Sequence, residues 1–216
     1  MKTLPMELFE RAVIAIVRGV RPGDIAAVAD ALLAGGVSMM EVTFDHASPD
    51  GVAATLESLE ILRDSFGDAI VAGAGTVLTA EEVALARDRG ARYIISPNVD
   101  QEVIAKTREL GLVSMPGAFT PSEVAAAHKM GAHIVKLFPA GLGGIDYLKA
   151  LSGPLGHIPI AAVGGIEADN IAAFLHAGAH CFGVGGNLVD AGRVAAGDFA
   201  AITTTARALN DALASV

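Results

Sequence analysis

The sequence predicts a (β/α)₈ barrel, and three features that repeat along the chain carry this prediction. Short apolar runs recur at intervals of roughly 20 to 30 residues, the spacing of successive strand–helix units. Segments with helical periodicity lie between these runs. Glycine stands repeatedly at the point where a helix would give way to the next strand. All 216 residues are expected to form one barrel domain, residues 1–216, near the small end of the range for this fold.

The apolar runs are rich in β-branched residues, and they do not alternate with polar positions. Such continuous runs are typical of parallel strands that are covered on both faces. Eight are predicted, at residues 13–17, 39–44, 69–72, 93–95, 112–115, 133–138, 160–163 and 181–184.

The intervening segments carry the start and stop signals of helices. Helices are predicted at residues 24–33, 48–63, 80–89, 121–130 and 168–176, with a closing amphipathic helix at 198–214 and a short helix at 6–11 that would cap the bottom of the barrel. Thr79 and Thr120 each precede a first turn with glutamate, which is typical of N-caps. Glycines after these helices, such as Gly90 and Gly178, are expected to take the left-handed conformation that ends a helix. A doubly wound open sheet is the alternative, but no Gly-x-Gly-x-x-Gly follows the first strand.

Composition narrows the class of function. The net charge of −9 argues against a nucleic-acid or anionic-membrane partner. Mean hydropathy is high, at +0.51, but no apolar run approaches the roughly 18 residues that a membrane span needs. The start, Met1 to Pro5, lacks the apolar stretch of a signal peptide. Cys181 is the single cysteine, so a reduced, cytoplasmic setting and a buried, inert thiol are expected.

Two ionisable residues stand inside predicted strands, where burying a charge is costly. Lys136 interrupts the run at 133–138, and Glu41 interrupts the run at 39–44. An uncharged lysine amine could attack a carbonyl, and a partly desolvated glutamate could act as general acid and base. The alternative is a structural ion pair inside the barrel, with Lys136 bound to a carboxylate and Glu41 bound to Lys136 or Arg18.

Further candidates lie where strands should end, since function in this fold collects at the C-terminal ends of the strands. Arg18 follows the first strand and could bind a carboxylate or phosphate, or could be a solvated charge. Thr76 and Pro97 follow the third and fourth strands, where plain turns are the alternative. Two glycine pairs, Gly164-Gly165 and Gly185-Gly186, follow the last two strands, where backbone N–H groups often bind phosphate. The histidines form no ligand cluster, so no metal is expected.

Several segments in order resemble one enzyme family. They are Ile14-Ala15-Ile16-Val17-Arg18-Gly19, Glu41-Val42-Thr43, Gly73-Ala74-Gly75-Thr76-Val77, Ile95-Ser96-Pro97-Asn98, Pro116-Gly117 with Thr120-Pro121-Ser122-Glu123, Val135-Lys136-Leu137-Phe138-Pro139-Ala140 and the two glycine pairs. Over nearly the whole chain this order is similar to the 2-keto-3-deoxy-6-phosphogluconate aldolases, also called 4-hydroxy-2-oxoglutarate aldolases.

The resemblance implies a cofactor-free class I aldolase, a lyase that splits a phosphorylated keto acid into pyruvate and glyceraldehyde 3-phosphate. Lys136 matches the Schiff-base lysine and Glu41 the acid/base carboxylate. Residues that match the substrate-binding positions are Arg18, Thr76, Pro97, Phe138, Gly164, Gly165, Gly185, Gly186 and Asn187. The resemblance also implies a homotrimer and a place in the Entner–Doudoroff route.

Three departures from the phosphogluconate-type pattern bear on the substrate. Asp45 stands in Thr43-Phe44-Asp45-His46, where an arginine is usual, and Arg18 could compensate. Val163 replaces a threonine that contacts sugar hydroxyls, and Asn187 replaces a serine that helps to hold phosphate. The gluconate epimer is the first prediction. The alternatives are the galactonate epimer, 4-hydroxy-2-oxoglutarate, a sugar-phosphate epimerase or isomerase that needs no Schiff base, and a non-catalytic sugar-phosphate sensor.

Overall fold

A computed structural model describes residues 3–216, so Met1 and Lys2, part of the segment that bears on a signal peptide, lie outside the described residues. Within residues 3–216, nine strands form one sheet in which every pairing is parallel, in the order β5-β4-β3-β2-β1-β9-β8-β7-β6. The strands are β1 Val13–Val17, β2 Met39–Thr43, β3 Val71–Gly75, β4 Tyr93–Ile95, β5 Val113–Met115, β6 Gly117–Ala118, β7 Val135–Leu137, β8 Ile160–Val163 and β9 Ala179–Val184.

The two outer strands of this sheet are halves of one barrel strand, separated only by Pro116. β5 pairs with β4, and β6 pairs with β7. Proline has no N–H to donate to a ladder, but the carbonyl of Pro116 accepts a hydrogen bond from the backbone N–H of Lys136 at 2.9 Å. The sheet therefore curls into a nearly closed barrel, and the predicted (β/α)₈ fold class is confirmed. Each of the eight predicted runs overlaps a strand, although β3 extends beyond its run to Gly75 and β9 begins earlier, at Ala179, and the fifth run continues beyond Pro116 as β6.

Helices alternate with the strands around the outside. They are α1 Pro22–Ala34, α2 Gly51–Phe66, α3 Ala80–Asp88, α4 Gln101–Glu109, α5 Pro121–Lys129, α6 Ala140–Leu155, α7 Ile171–His176, α8 Ala191–Ala195 and α9 Phe199–Ala214. The sequence prediction did not include α4, α6 or α8. Four glycines and Pro154 obscure the periodicity of α6, whose backbone leaves the helical region at Gly144.

The predicted helix signals work as expected. Thr79 and Thr120 each form a capping box with the glutamate three residues later. Gly90 and Gly178 follow their helices with φ of 107° and 110°, a conformation that favours glycine.

Buried side chains form two layers, one between helices and sheet and one inside the barrel. The predicted helix at 6–11 is a single 3₁₀ turn, Met6–Phe9, and it places Phe9 in the inner layer. The Phe9 ring meets the Tyr93 ring edge-on, with centroids 5.8 Å apart. This contact fills the barrel floor and leaves the opposite end, where the strands terminate, for polar groups. Within residues 3–216, no helix has the length and apolar character to cross a membrane.

We expect Thr79→Ala to lower the free energy of unfolding by about 1 kcal/mol, because the N-cap hydroxyl accepts a hydrogen bond from the backbone N–H of Glu82. Thr204→Ala is the matched control. Its exposed hydroxyl bonds only to the Ala200 carbonyl within α9, so a change below about 0.5 kcal/mol is expected. Urea unfolding measures both values, and equal losses would contradict the capping role.

Candidate active site

A cavity of about 480 Å³ opens at the C-terminal ends of the strands. Six strands or the residues just after them contribute to its wall. The lining residues are Ile16, Arg18, Thr76, Pro97, Lys136, Phe138, Val163, Gly164 and Gly185. Seven of the predicted site residues thus meet around one space, although up to 167 positions separate them in the chain (18 to 185).

Lys136 lies in the middle of β7, paired in register with Gly117 on one side and Ala161 on the other. Only 8% of its surface is exposed. Its Nζ sits 5.0 Å from the centroid of the Phe138 ring, a distance that allows a cation–π contact. Among residues 3–216, no carboxylate reaches salt-bridge distance of this amine. The direct structural ion pair that the sequence left open is therefore not formed.

Glu41, in β2, is 1% exposed and points into the barrel. A Cβ on Gly75 would overlap its Oε1, so the glycine provides the space that the carboxylate occupies. The other oxygen, Oε2, has no hydrogen-bond partner among the described residues, 3–216. Burial raises the pKa of Glu41, and the positive charges of Lys136 and Arg18 offset part of that rise. A carboxyl group with a raised pKa is suited to both accept and donate a proton.

Tyr93 lies inside the barrel in the same strand register as Glu41, with Gly73 between them. Its ring occupies the place of a Gly73 side chain, and its buried hydroxyl has no hydrogen-bond partner in the part of the chain that the structure describes. Burial raises the pKa of Tyr93, with further contributions from Glu41 and Cys181. Burial also raises the pKa of Cys181 to about 12, as expected for an inert thiol.

Arg18 and Thr76 form a polar corner of the cavity. An Arg18 Nη2 donates to the Thr76 Oγ1 at 3.3 Å. Thr76 has a φ of 56°, a left-handed conformation that is costly for a β-branched residue and is typical of functional sites. A guanidinium beside a hydroxyl is an arrangement that can bind a carboxylate.

The glycine pairs differ in how they meet the cavity. Gly164 and Gly185 line it, whereas Gly165, Gly186 and Asn187 do not. The side-chain amide of Asn187 instead donates to Glu167 Oε1 at 2.8 Å. Gly164 and Gly165 both have positive φ, 89° and 75°, so the tight turn at this loop needs glycine.

The sequence prediction missed two contributors. Ile16 lines the cavity, and Gly75 makes room for Glu41. Val163, at a position expected to face the sugar hydroxyls, also lines the cavity. Among the residues that the structure describes, no group of three or more His, Cys, Asp or Glu could hold a metal ion.

The family model described as "KDPG and KHG aldolase" matches residues 6–205. The chain belongs to this aldolase family. The enzyme is therefore a lyase, as the sequence predicts.

Individual members with known names are similar over most of their length. This aldolase is 37% identical to a probable 2-dehydro-3-deoxy-6-phosphogalactonate aldolase of Rhizobium meliloti, over 92% of this chain and 91% of the relative. It is 36% identical to a 2-dehydro-3-deoxy-phosphogluconate aldolase of Treponema pallidum, over 91% of each. Among solved structures, the KDPG aldolase of Legionella pneumophila, with pyruvate captured as a covalent carbinolamine, has a TM-score of 0.83 at 30% identity and covers 94% of this chain and 95% of its own.

We expect Glu41→Gln to lower kcat of the aldolase by about 10² to 10⁴, because the amide can neither accept nor donate the proton. At pH 8 the same variant should have a higher free energy of unfolding than the wild type. The folded state raises the Glu41 pKa, so the wild type loses stability as the pH rises from the ordinary value of 4.5 through the raised folded pKa. Urea unfolding should therefore show a larger difference in the free energy of unfolding between Glu41→Gln and the wild type at pH 8 than at pH 5.

Glu57→Gln, on the exposed face of α2, is the matched control. It should change neither activity nor the pH dependence of stability. A Glu41→Gln variant less stable than the wild type at pH 8 would mean that attraction to Lys136 and Arg18 outweighs the cost of burying the carboxylate.

Proposed function

We propose that this aldolase is a class I enzyme in which Lys136 forms a Schiff base with a phosphorylated 2-keto-3-deoxy sugar acid and releases pyruvate and glyceraldehyde 3-phosphate. Lys136 carries the proposal, because its amine is buried, lines the cavity and has no carboxylate at salt-bridge distance among residues 3–216. The covalent carbinolamine in the Legionella relative supports the same chemistry.

In the proposed reaction the Lys136 nitrogen attacks the C2 carbonyl carbon of the substrate and gives a carbinolamine. Glu41 donates the proton with which the hydroxyl leaves as water, and an iminium forms. Glu41, now ionised, takes the proton of the C4 hydroxyl as the C3–C4 bond breaks. The electron pair of that bond moves into the iminium, so the aldehyde departs and an enamine remains. Protonation at C3 and hydrolysis then release pyruvate and the free amine.

The rest of the cavity would bind the two ends of the substrate. Arg18 and Thr76 form the corner that suits the carboxylate. Backbone N–H groups of the loops that contain Gly164 and Gly185 would hold the phosphate, as the sequence predicts for all four glycines and for Asn187. Pro97 and Phe138 supply apolar walls beside the reacting carbons.

The epimer is a finer question. The sequence predicts the gluconate form, which stays a prediction. One contact favours the galactonate form as a second candidate. Val163 lines the cavity with an apolar side chain and offers no hydroxyl to the sugar. The Rhizobium relative bears the galactonate name and the Treponema relative the gluconate name, at nearly equal identity.

Membership of an aldolase family favours this reaction over a non-Schiff-base epimerase or isomerase and over a sugar-phosphate sensor. Several further expectations from the sequence are proposals as well. They are a single domain over residues 1–216, a homotrimer, a cytoplasmic location, an Entner–Doudoroff role and a reaction that needs no cofactor beyond Lys136. The alternative of 4-hydroxy-2-oxoglutarate as substrate also stays open to the same assays.

Lys136→Ala should abolish pyruvate release from both phosphorylated epimers and should form no adduct when pyruvate is present during borohydride reduction. Only a Schiff base is fixed to the protein by this treatment, and intact-mass spectrometry detects it. Lys149→Ala, which removes an exposed lysine from α6, is the control and should behave like the wild type. Pyruvate release by Lys136→Ala would refute the proposed mechanism.

Val163→Thr should shift the ratio of kcat/KM toward the gluconate epimer by about tenfold, because the new hydroxyl can bond to a sugar hydroxyl in one configuration. Val184→Thr is the matched control. Val184 is equally buried on the next strand but does not line the cavity, so the ratio should not move. An unchanged ratio in Val163→Thr would show that the side chain at position 163 does not influence which epimer the enzyme prefers.

A further inference from the structure

A hydrogen bond joins the loop after β2 to the first turn of α3, at the end of the barrel where the cavity opens. The His46 Nε2 lies 2.7 Å from the Glu82 Oε1. An ionised carboxylate only accepts hydrogen bonds, so the ring nitrogen carries the hydrogen and donates it. The Glu82 side chain is 12% exposed and that of His46 is 34% exposed, so the bond is partly shielded from water. It connects two consecutive strand–helix units.

The other oxygen of Glu82 holds the backbone of the turn that follows β3. This Oε2 accepts from the backbone N–H of Leu78 at 2.7 Å and from that of Thr79 at 3.2 Å. Thr76 lies two residues before Leu78, has its left-handed φ of 56° and lines the cavity. His46 does not line the cavity itself, but it is connected to the cavity wall through one side chain.

Helix capping does not require this additional bond. α5 begins with the same capping box, and its Glu123 Oε2 accepts from the backbone N–H groups of Phe119 and Thr120. Among residues 3–216, the Oε1 of Glu123 receives no hydrogen bond. Capping therefore explains one oxygen of Glu82 and leaves the bond from His46 unexplained.

The turn at Thr76 needs restraint, because a left-handed conformation is costly for a β-branched residue. The adjoining strands hold the residues on either side of it. The Gly75 carbonyl accepts from the Phe44 N–H at 2.8 Å. The Val77 N–H donates to the Ile95 carbonyl at 3.2 Å. The next contacts along the turn are those that the capping glutamate makes, and they restrain its downstream side.

We propose that His46 is a positioning residue that acts through Glu82 to hold the Thr76 hydroxyl where the carboxylate of the keto acid binds. The inference rests on the proposed function, in which the corner of Arg18 and Thr76 binds this carboxylate. The guanidinium donates to the hydroxyl at 3.3 Å, so a shift of the turn separates the two groups. Loss of the bond from His46 leaves the Glu82 carboxylate free to rotate and lets the turn relax. Carboxylate binding then weakens, while the chemistry at Lys136 is unchanged.

Pyruvate tests this corner without the phosphate end of the cavity, because it is the product that carries the carboxylate. The rate at which borohydride traps the Lys136 adduct, measured at increasing pyruvate, gives a half-saturating concentration. His46→Asn, whose amide is too short to reach Glu82, should raise this concentration about fivefold and leave the trapping rate at saturation unchanged. In cleavage of the phosphorylated substrate, KM should rise likewise without a change in kcat. His46→Gln restores an N–H near the position of Nε2 and should stay within about twofold of the wild type.

Arg89→Gln is the matched control. The Arg89 Nη1 donates to Glu60 Oε2 and also joins α3 to α2, but at the opposite end of α3 from Glu82. Its loss should leave the half-saturating concentration unchanged.

A double-variant cycle with Thr76→Ala tests the route of the effect. If His46 acts through Thr76, His46→Asn should add less than about twofold in the Thr76→Ala background, whereas independent effects multiply. His46 is exposed, so each replacement is expected to keep the fold, which circular dichroism checks. His46→Ala repeats the test should His46→Asn not fold.

Three results overturn the positioning proposal. They are a wild-type half-saturating concentration in His46→Asn, a failure of His46→Gln to restore it, and effects of His46→Asn and Thr76→Ala that multiply. In each case the Lys136 adduct still forms and the proposed aldolase function stands. If the wild type forms no adduct with pyruvate and releases none from either phosphorylated epimer, the proposed function fails, and the positioning proposal fails with it.

Discussion

Burial of a carboxylate and an amine inside the same barrel is the constraint on which the site depends. Removing such charges from water costs several kcal/mol per ion, and here no direct ion pair repays that cost, because Lys136 has no carboxylate at salt-bridge distance among residues 3–216. The cost is reflected in the raised pKa of Glu41. The proposed reactivity of Glu41 and its cost to the stability of the fold thus have the same cause. Desolvation disfavours the charged carboxylate and also prepares the group to exchange a proton.

Strand β3 makes this burial possible because it carries almost no side-chain volume toward the barrel axis. The Tyr93 ring occupies the space that a side chain at Gly73 would fill, and the Glu41 carboxylate occupies the space that a side chain at Gly75 would fill. Both glycines are inward positions two residues apart, as strand geometry requires. Thr76 follows this strand in a left-handed conformation and forms the polar corner of the cavity with Arg18. One glycine-rich segment therefore makes room for two buried polar side chains inside the barrel and contributes Thr76 to the cavity wall.

The two ends of the cavity are built differently. The proposed keto-acid end rests on strand residues, with Lys136 in the centre of β7 and Glu41 in the centre of β2, where backbone ladders fix their positions. The opposite side rests on the loops after β8 and β9, where Gly164 and Gly185 line the cavity. Loops can change residues without disturbing the barrel. Chemistry fixed on strands and specificity carried by loops would allow related enzymes to share a reaction and to differ in substrate.

The sequence alone determined the barrel, since eight apolar runs, their helical partners and the glycine stops are local patterns read at short range. It also singled out Lys136 and Glu41, because an ionisable residue within an apolar strand is conspicuous without any coordinates. Only the tertiary structure decided that Lys136 has no carboxylate beside it, that Gly75 makes room for Glu41, and that Asn187 bonds to Glu167. The Asn187–Glu167 and Gly75–Glu41 pairs lie 20 and 34 positions apart in the chain, and residue type and spacing cannot specify such contacts. The break at Pro116 depends on both the sequence and the fold. The sequence shows a proline, which has no N–H to donate, and barrel closure determines that β5 pairs with β4 and β6 with β7.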